Sequence, residues 1–233
     1  MKTIGFIGCY DKTDFIMCVA KILTMLGKRV LVIDNTLIQK ARYIVPVINP
    51  TKAYVTEFEG FDVSVGFEDY DSLKRYLAIQ EGKEPEYDIA LIDIDNIDSF
   101  EKFKITSCEK NYFVTSFDLC SLKKGLELLS RVKDPVRLTK ILFSKNILKE
   151  DDDYLNFLSL GMKIVWNNDY RIYLPIDNGD QSAIIENQRI YKIGIKRLSS
   201  QYKDSLSYIV EDIASDVAPQ EIKKIFKIIE KEV

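Results

Sequence analysis

Short apolar runs alternate along the chain with segments whose apolar positions recur at helical spacing. Residues 3–7 are rich in β-formers and stop at Gly8. In 14–26 the residues Phe15, Val19, Ile22 and Leu26 recur with helical period, and Gly27 supplies the stop. Residues 29–33 are apolar at nearly every position, the pattern of a strand covered on both faces, and 88–94 repeat it. Residues 51–66 predict two short strands around Glu59-Gly60. Further strands are predicted over 111–115, over 137–143 and near 163–166, with a separate segment near 171–174. Helical spacing predicts helices over 70–80, 119–132, 152–160, 181–187 and 197–214, and from Pro219 to the end. Strands separated by helices imply right-handed crossovers, hence a doubly wound, mostly parallel α/β sheet flanked by helices. No repeat, linker or break in composition interrupts the chain. The pattern predicts one α/β domain over 1–217 followed by an amphipathic helix over 218–233.

Composition narrows the chemistry. The 233 residues suffice for one sizeable core, and 33 basic against 36 acidic residues leave a net charge of −3, which argues against bulk nucleic-acid binding. There is no histidine. That excludes a Ser-His-Asp triad, a Cys-His dyad, His-ligated zinc and an imidazole proton shuttle. Cys9, Cys18, Cys108 and Cys120 form no C-x-x-C pair and read as small buried hydrophobes in a reducing compartment. The first residues show no signal-peptide pattern, and the longest nearly uncharged stretch, 15–27, is broken by Lys21 and too short to span a bilayer. A cytoplasmic location is expected.

In an open parallel sheet, ligands sit beyond the carboxyl ends of the strands, and the first strand-to-helix turn is the usual phosphate site. Here that turn reads Gly8-Cys9-Tyr10-Asp11-Lys12-Thr13-Asp14. A Lys-Thr pair opening a helix is the tail of a P-loop, in which Lys meets phosphate oxygens and Thr holds Mg²⁺. Later segments agree: Gly27-Lys28-Arg29-Val30-Leu31-Val32-Ile33-Asp34, Tyr87-Asp88-Ile89-Ala90-Leu91-Ile92-Asp93-Ile94-Asp95, the stretch from Phe113 to Leu122, and Tyr173-Leu174-Pro175-Ile176-Asp177. With these segments the chain resembles the ParA/MinD group of P-loop ATPases over roughly 1–214. That group includes partition proteins, division-site regulators and the TadZ/CpaE pilus-positioning proteins, the last taken as the nearest branch. The resemblance implies a P-loop NTPase fold with ATP or ADP as ligand. It places residues 8–14 around the phosphates, with Mg²⁺ held by Thr13, Asp34 and Asp93.

The departures from the group's pattern carry the functional expectation. Ile7 stands at the signature lysine, Cys9 and Asp11 replace two glycines, Asp14 replaces a hydroxyl residue, and Thr36 replaces a second acid. Asp95-Asn96 stand for a Pro-Pro, and Ser144-Lys145 for an adenine-reading Asn and its basic neighbour. A carboxylate about 4 Å from a phosphate charge costs roughly 4 kcal/mol at an effective dielectric of 20. A self-capped loop is therefore expected. Asp11 and Asp14 fill the niche of the phosphate at the helix N-terminus, and Lys12 pairs with Asp11, Asp34 or Asp93. No cofactor is then required, catalysis is inefficient, and the fold serves as a localisation or scaffolding module for a protein partner or as a homodimer. Two other readings follow from the same resemblance: a slow ATP-dependent dimerisation switch, and a DNA-associated partition factor.

Three further features bear on function. Asp93, Asp95 and Asp98 converge on one strand end, with Asp93 best placed. The acidic run 150–153 reads as a solvated helix start, and Lys192, Lys196 and Arg197 as a weak basic patch. In the terminal helix Ile222, Ile225, Phe226 and Ile229 form an apolar face for a partner, for a membrane or for the chain's own domain. Its four lysines against three glutamates are too balanced for a membrane-surface helix.

Overall fold

A computed structural model describes residues 1–48, 50–81, 86–144 and 149–231. Eight strands form one sheet in the order β3-β4-β2-β5-β1-β6-β7-β8. They are β1 (Lys2–Ile7), β2 (Val30–Asp34), β3 (Tyr54–Phe58), β4 (Phe61–Val65), β5 (Ile89–Ile94), β6 (Lys110–Ser116), β7 (Val136–Phe143) and β8 (Ile164–Leu174). Every pairing is parallel except the β3–β4 hairpin, so the expected doubly wound sheet is the fold. The hairpin turns at Glu59 and Gly60, both with positive φ, as the dipeptide predicts. The segments expected separately at 163–166 and 171–174 are one strand. A register shift opposite Leu138 and Lys140 lets it continue, and that interruption is what split the apolar pattern.

The helices are α1 (Thr13–Met25), α2 (Ala41–Ile44), α3 (Tyr70–Glu81), α4 (Ile97–Lys102), α5 (Leu119–Ser130), α6 (Lys149–Leu158), α7 (Asn178–Ile190), α8 (Ser200–Ile213) and α9 (Pro219–Ile229). They cover both faces. One core lies between the sheet and α1, α7, α8 and α9, and the other between the sheet and α3–α6. Helices α2 and α4 were not expected. Neither is long enough to show helical periodicity, and each begins where a side chain caps it. Asp34 accepts from the Ala41 amide at 2.9 Å, and Asn96 accepts from the Ser99 amide at 2.9 Å.

Packing bears on two expectations. Ile222 and Ile229 are fully buried in the first core, with Ile225 and Phe226 packed against its rim, so of the three surfaces open to this face of α9 in the sequence it packs on the chain's own domain, beside α8. Burying the apolar stripe of an amphipathic helix at home is worth more than leaving it wet. The acidic run is not wholly solvated. Asp152 is buried, 2.6 Å from Lys140 Nζ and paired with Arg171. Among the described residues no helix is long and apolar enough to cross a membrane.

Candidate functional site

The first strand-to-helix turn lies where the strand order reverses. Strand β1 sits between β5 and β6, while the chain leaving it through α1 returns to β2, on the far side of β5. Such switch points open a crevice at the carboxyl ends of the strands. Register then brings three strand ends together: Phe6 lies opposite Asp93, and Asp93 opposite Asp34.

The retained glycine has a local cause. Gly8 has φ +143°, and a Cβ there would lie 2.0 Å from the backbone oxygen of Val114 on β6. Only glycine tolerates that approach. It is therefore required by sheet packing whether or not a phosphate binds. Ile7, at the position of the group's signature lysine, is fully buried in the core facing α3–α6. Tyr10 lines the crevice and packs on Phe143 at the end of β7, with ring centroids 4.6 Å apart.

Lys12 is committed to the protein. Its ammonium stands 2.6 Å from Asp93 Oδ1, donates to the Gly8 carbonyl at 2.7 Å, and both ion-pair partners are only 1 % exposed. Of the three acids expected to pair with it, the structure selects Asp93. The Thr13 hydroxyl lies 3.4 Å from Asp93 Oδ2. Asp34 is turned elsewhere: it accepts from the Thr36 amide and hydroxyl at 3.1 and 2.7 Å as well as from Ala41, which shapes the loop after β2. Among the described residues no cluster of three or more Cys, Asp or Glu side chains is arranged to hold a metal ion.

Burial governs the two acids. It pushes Asp93 up to about 7, against the pull of Lys12 and with Asp34 and Asp95 adding to the rise. Burial raises Asp34 too, partly offset by its bonds to Thr36 and Ala41.

The loop's own carboxylates close its outer side. The Thr13 amide lies 3.3 Å from Asp11 Oδ1, which places an anion at the N-terminus of α1. The residue that neutralises this charge was missed in the sequence. Lys40, just before α2, lies 2.5 Å from both Asp11 Oδ2 and Asp14 Oδ2. Gln188 of α7 donates to both Asp14 oxygens at 2.8 and 3.0 Å. Burial lowers the Lys40 pKa, but Asp14 and Asp11 more than compensate and hold it above the usual lysine value. No motif marks Lys40; it belongs to the loop that Asp34 folds back over the crevice.

Over Lys12 a cleft of about 190 Å³ remains, lined by residues 9–13 on one side, Thr36, Ile38 and Lys40 on the other, and Asp93 and Asp95. That is below the roughly 300–1,000 Å³ of ordinary small-molecule sites. In this arrangement the Lys12 ammonium is paired and the N-terminus of α1 faces the Asp11 carboxylate, while the cleft adjoins a groove of about 660 Å³ that shares Cys9, Ile38 and Asp95 with it. Asp95 belongs to the cleft, its Oδ1 accepting from the Leu37 amide at 2.9 Å, whereas Asp98 lines the neighbouring groove beside α5. Cys9, Cys18, Cys108 and Cys120 carry no disulfide. Ser144 is described, but Lys145, its partner in the expected adenine-reading pair, lies outside the described residues. Arg197 of the expected basic patch is paired with Glu186.

Solved structures share this fold. A ParA family ATPase from Chlorobium tepidum TLS matches with a TM-score of 0.59 at 14 % identity, over 90 % of this chain and 97 % of that one. The fold is that of the ParA/MinD ATPases. A chain of the MinC:MinD cell division protein complex of Aquifex aeolicus gives a TM-score of 0.57 at 13 % identity, covering 90 % and 95 %. A variant of Cyanothece McdA in complex with ATP gives 0.52 at 10 % identity, covering 92 % and 96 %. No protein-family model and no curated protein matches the sequence.

Proposed function

We propose that this chain is a ParA/MinD-like positioning module whose nucleotide site is closed by its own side chains, and that it works by binding a protein partner rather than by hydrolysing ATP. The observation that carries the reading is the buried Lys12–Asp93 pair. In a working P-loop that lysine meets the phosphates. Here a phosphate would have to break a desolvated ion pair to reach it, and losing one partner of such a pair costs about 3–5 kcal/mol. Asp11 and Asp14 add negative charge where the phosphates would lie. Positioning is the task suggested by the shared fold with ParA and MinD proteins, and a partner protein accords with the MinC:MinD neighbour. The TadZ/CpaE-type role and residues 8–14 as a relic of the nucleotide site belong to the same proposal.

The second reading, a slow ATP-driven dimerisation switch, draws on the proximity of Thr13 and Asp93, the two groups that would support Mg²⁺ in an open site. Isothermal titration with Mg-ATP and Mg-ADP separates the two. The proposal expects no heat of binding at micromolar nucleotide; a micromolar dissociation constant overturns it in favour of the switch.

A further inference from the structure

The loop between β2 and α2 is anchored at both ends and weakly held between them. At its start Asn35 donates from its side chain to the Phe67 carbonyl at 2.7 Å and from its amide to Asp93 O at 3.0 Å. At its end Ala41 is fully buried and its amide is bound by Asp34. In between, Leu37 is 77 % and Ile38 75 % exposed, so no apolar burial secures the middle. What holds it is polar: Thr36 on Asp34, the Leu37 amide on Asp95, the Gln39 amide on Thr36 Oγ1 at 3.0 Å, the Gln39 side-chain oxygen and carbonyl accepting from Arg42, and the Lys40 bridge to Asp11 and Asp14. Gln39 has φ +51°, a left-handed conformation uncommon for a residue with a Cβ. Strain of this kind persists only where the surroundings enforce it, and segments with few apolar contacts open at low free energy.

We propose that residues 36–40 are a hinged strap, latched across the first strand-to-helix loop by Lys40 between Asp11 and Asp14. The proposal deepens the reading of a self-closed site by naming the part that moves. Closed, the strap supplies the cation that lets two carboxylates sit beside the N-terminus of α1, and it narrows the cleft over Lys12. Open, it carries Lys40 away with Leu37 and Ile38, leaves Asp11 and Asp14 without their cation and widens the entrance to Lys12. The left-handed Gln39 sits directly before the latch, where a backbone change swings Lys40 while Ala41 stays in the core.

Hydrogen–deuterium exchange on the full chain, without nucleotide, tests the strap. In Lys40→Met, amides 37–40 and 11–14 are expected to exchange about tenfold faster, in line with a loss of about 1.4 kcal/mol from local closure. The central strands should keep their protection, and Lys40→Arg should restore wild-type rates. Independently of any substitution, the wild-type chain in about 1 M NaCl, where the screening length is about 3 Å, should show faster exchange in the same two segments. Unchanged exchange under both conditions overturns the strap, as does acceleration spread evenly over the sheet. Because no nucleotide is present, finding that the chain binds ATP would sink the closed-site reading without altering what these exchange rates report.

Discussion

Lys12 and Asp93 meet at 2.6 Å with both side chains almost wholly withdrawn from water, and each is the main counter-charge of the other. Removing the ammonium leaves a buried carboxylate beside Asp34 with its main counter-charge gone. Lys12→Met is expected to cost about 3–5 kcal/mol at pH 8. The cost should shrink at pH 5, where Asp93 takes up a proton and the uncompensated charge disappears. Urea unfolding at the two pH values measures the difference; an equal loss at both would contradict the pairing.

The raised Asp93 pKa predicts how the unaltered chain responds to pH. The folded value of about 7 lies above the roughly 3.9 of an unfolded aspartate, so between the two the native chain holds a proton that the unfolded chain has released. More protons on the native state means that stability falls as pH rises through this window and levels off above it. Asp93→Asn removes that contribution. Plotting unfolding free energy against pH for both proteins should give lines that diverge between about pH 4 and 7, since the variant lacks the downward slope assigned to this group.

Asp11 is the substitution that bears most directly on nucleotide exclusion. Its charge is partly answered by Lys40 and its side chain is 57 % exposed, so pairing and solvent screening reduce the repulsion it would offer a phosphate. Asp11→Gly restores the glycine of the ParA/MinD pattern and removes both the helix cap and one arm of the latch. It is expected to tighten Mg-ATP by about tenfold, or about 1.4 kcal/mol, in isothermal titration. Adding Lys12→Met to that variant should abolish the gain. No tightening in the single variant would mean that charge is not what keeps nucleotide out.

Helix α9 offers a separate check on its packing. Ile222 is fully buried in the core shared with α1 and α8. Ile222→Ala should lower stability by about 2–5 kcal/mol through lost burial and the cavity left behind. A helix held for an external surface would lose almost nothing, and thermal unfolding of the isolated variant distinguishes the two.

Much of the fold is legible along the chain because strand and helix periods are local properties. Buried parallel strands such as β2 and β5 announce themselves as unbroken apolar runs. The hairpin is marked by Glu59-Gly60, and the P-loop position by Lys12-Thr13 after β1. Elements too short for a period were invisible, such as the four-residue α2 and the six-residue α4, and β8 was read as two segments because its register shift interrupts it. Gly8 was legible as a glycine that matters, but its reason was not, since the Val114 carbonyl that excludes a side chain comes from a strand more than a hundred residues further on.

At the site, the residue types at the β1–α1 turn were set by sequence alone: a lysine and threonine to meet an anion, and two aspartates that oppose one. Which charge answers which was decided only when the chain folded. Parallel register put Asp93 opposite Phe6 and next to Asp34, giving Lys12 one buried partner out of three candidates. The bond from Asp34 to Ala41 turned the following loop so that Lys40 reached Asp11 and Asp14, 29 and 26 residues away along the chain. Charges find partners by distance through space. Sequence spacing carries that information only within a turn or two of helix, and the crevice here is built from ends of the sheet that no local pattern brings together.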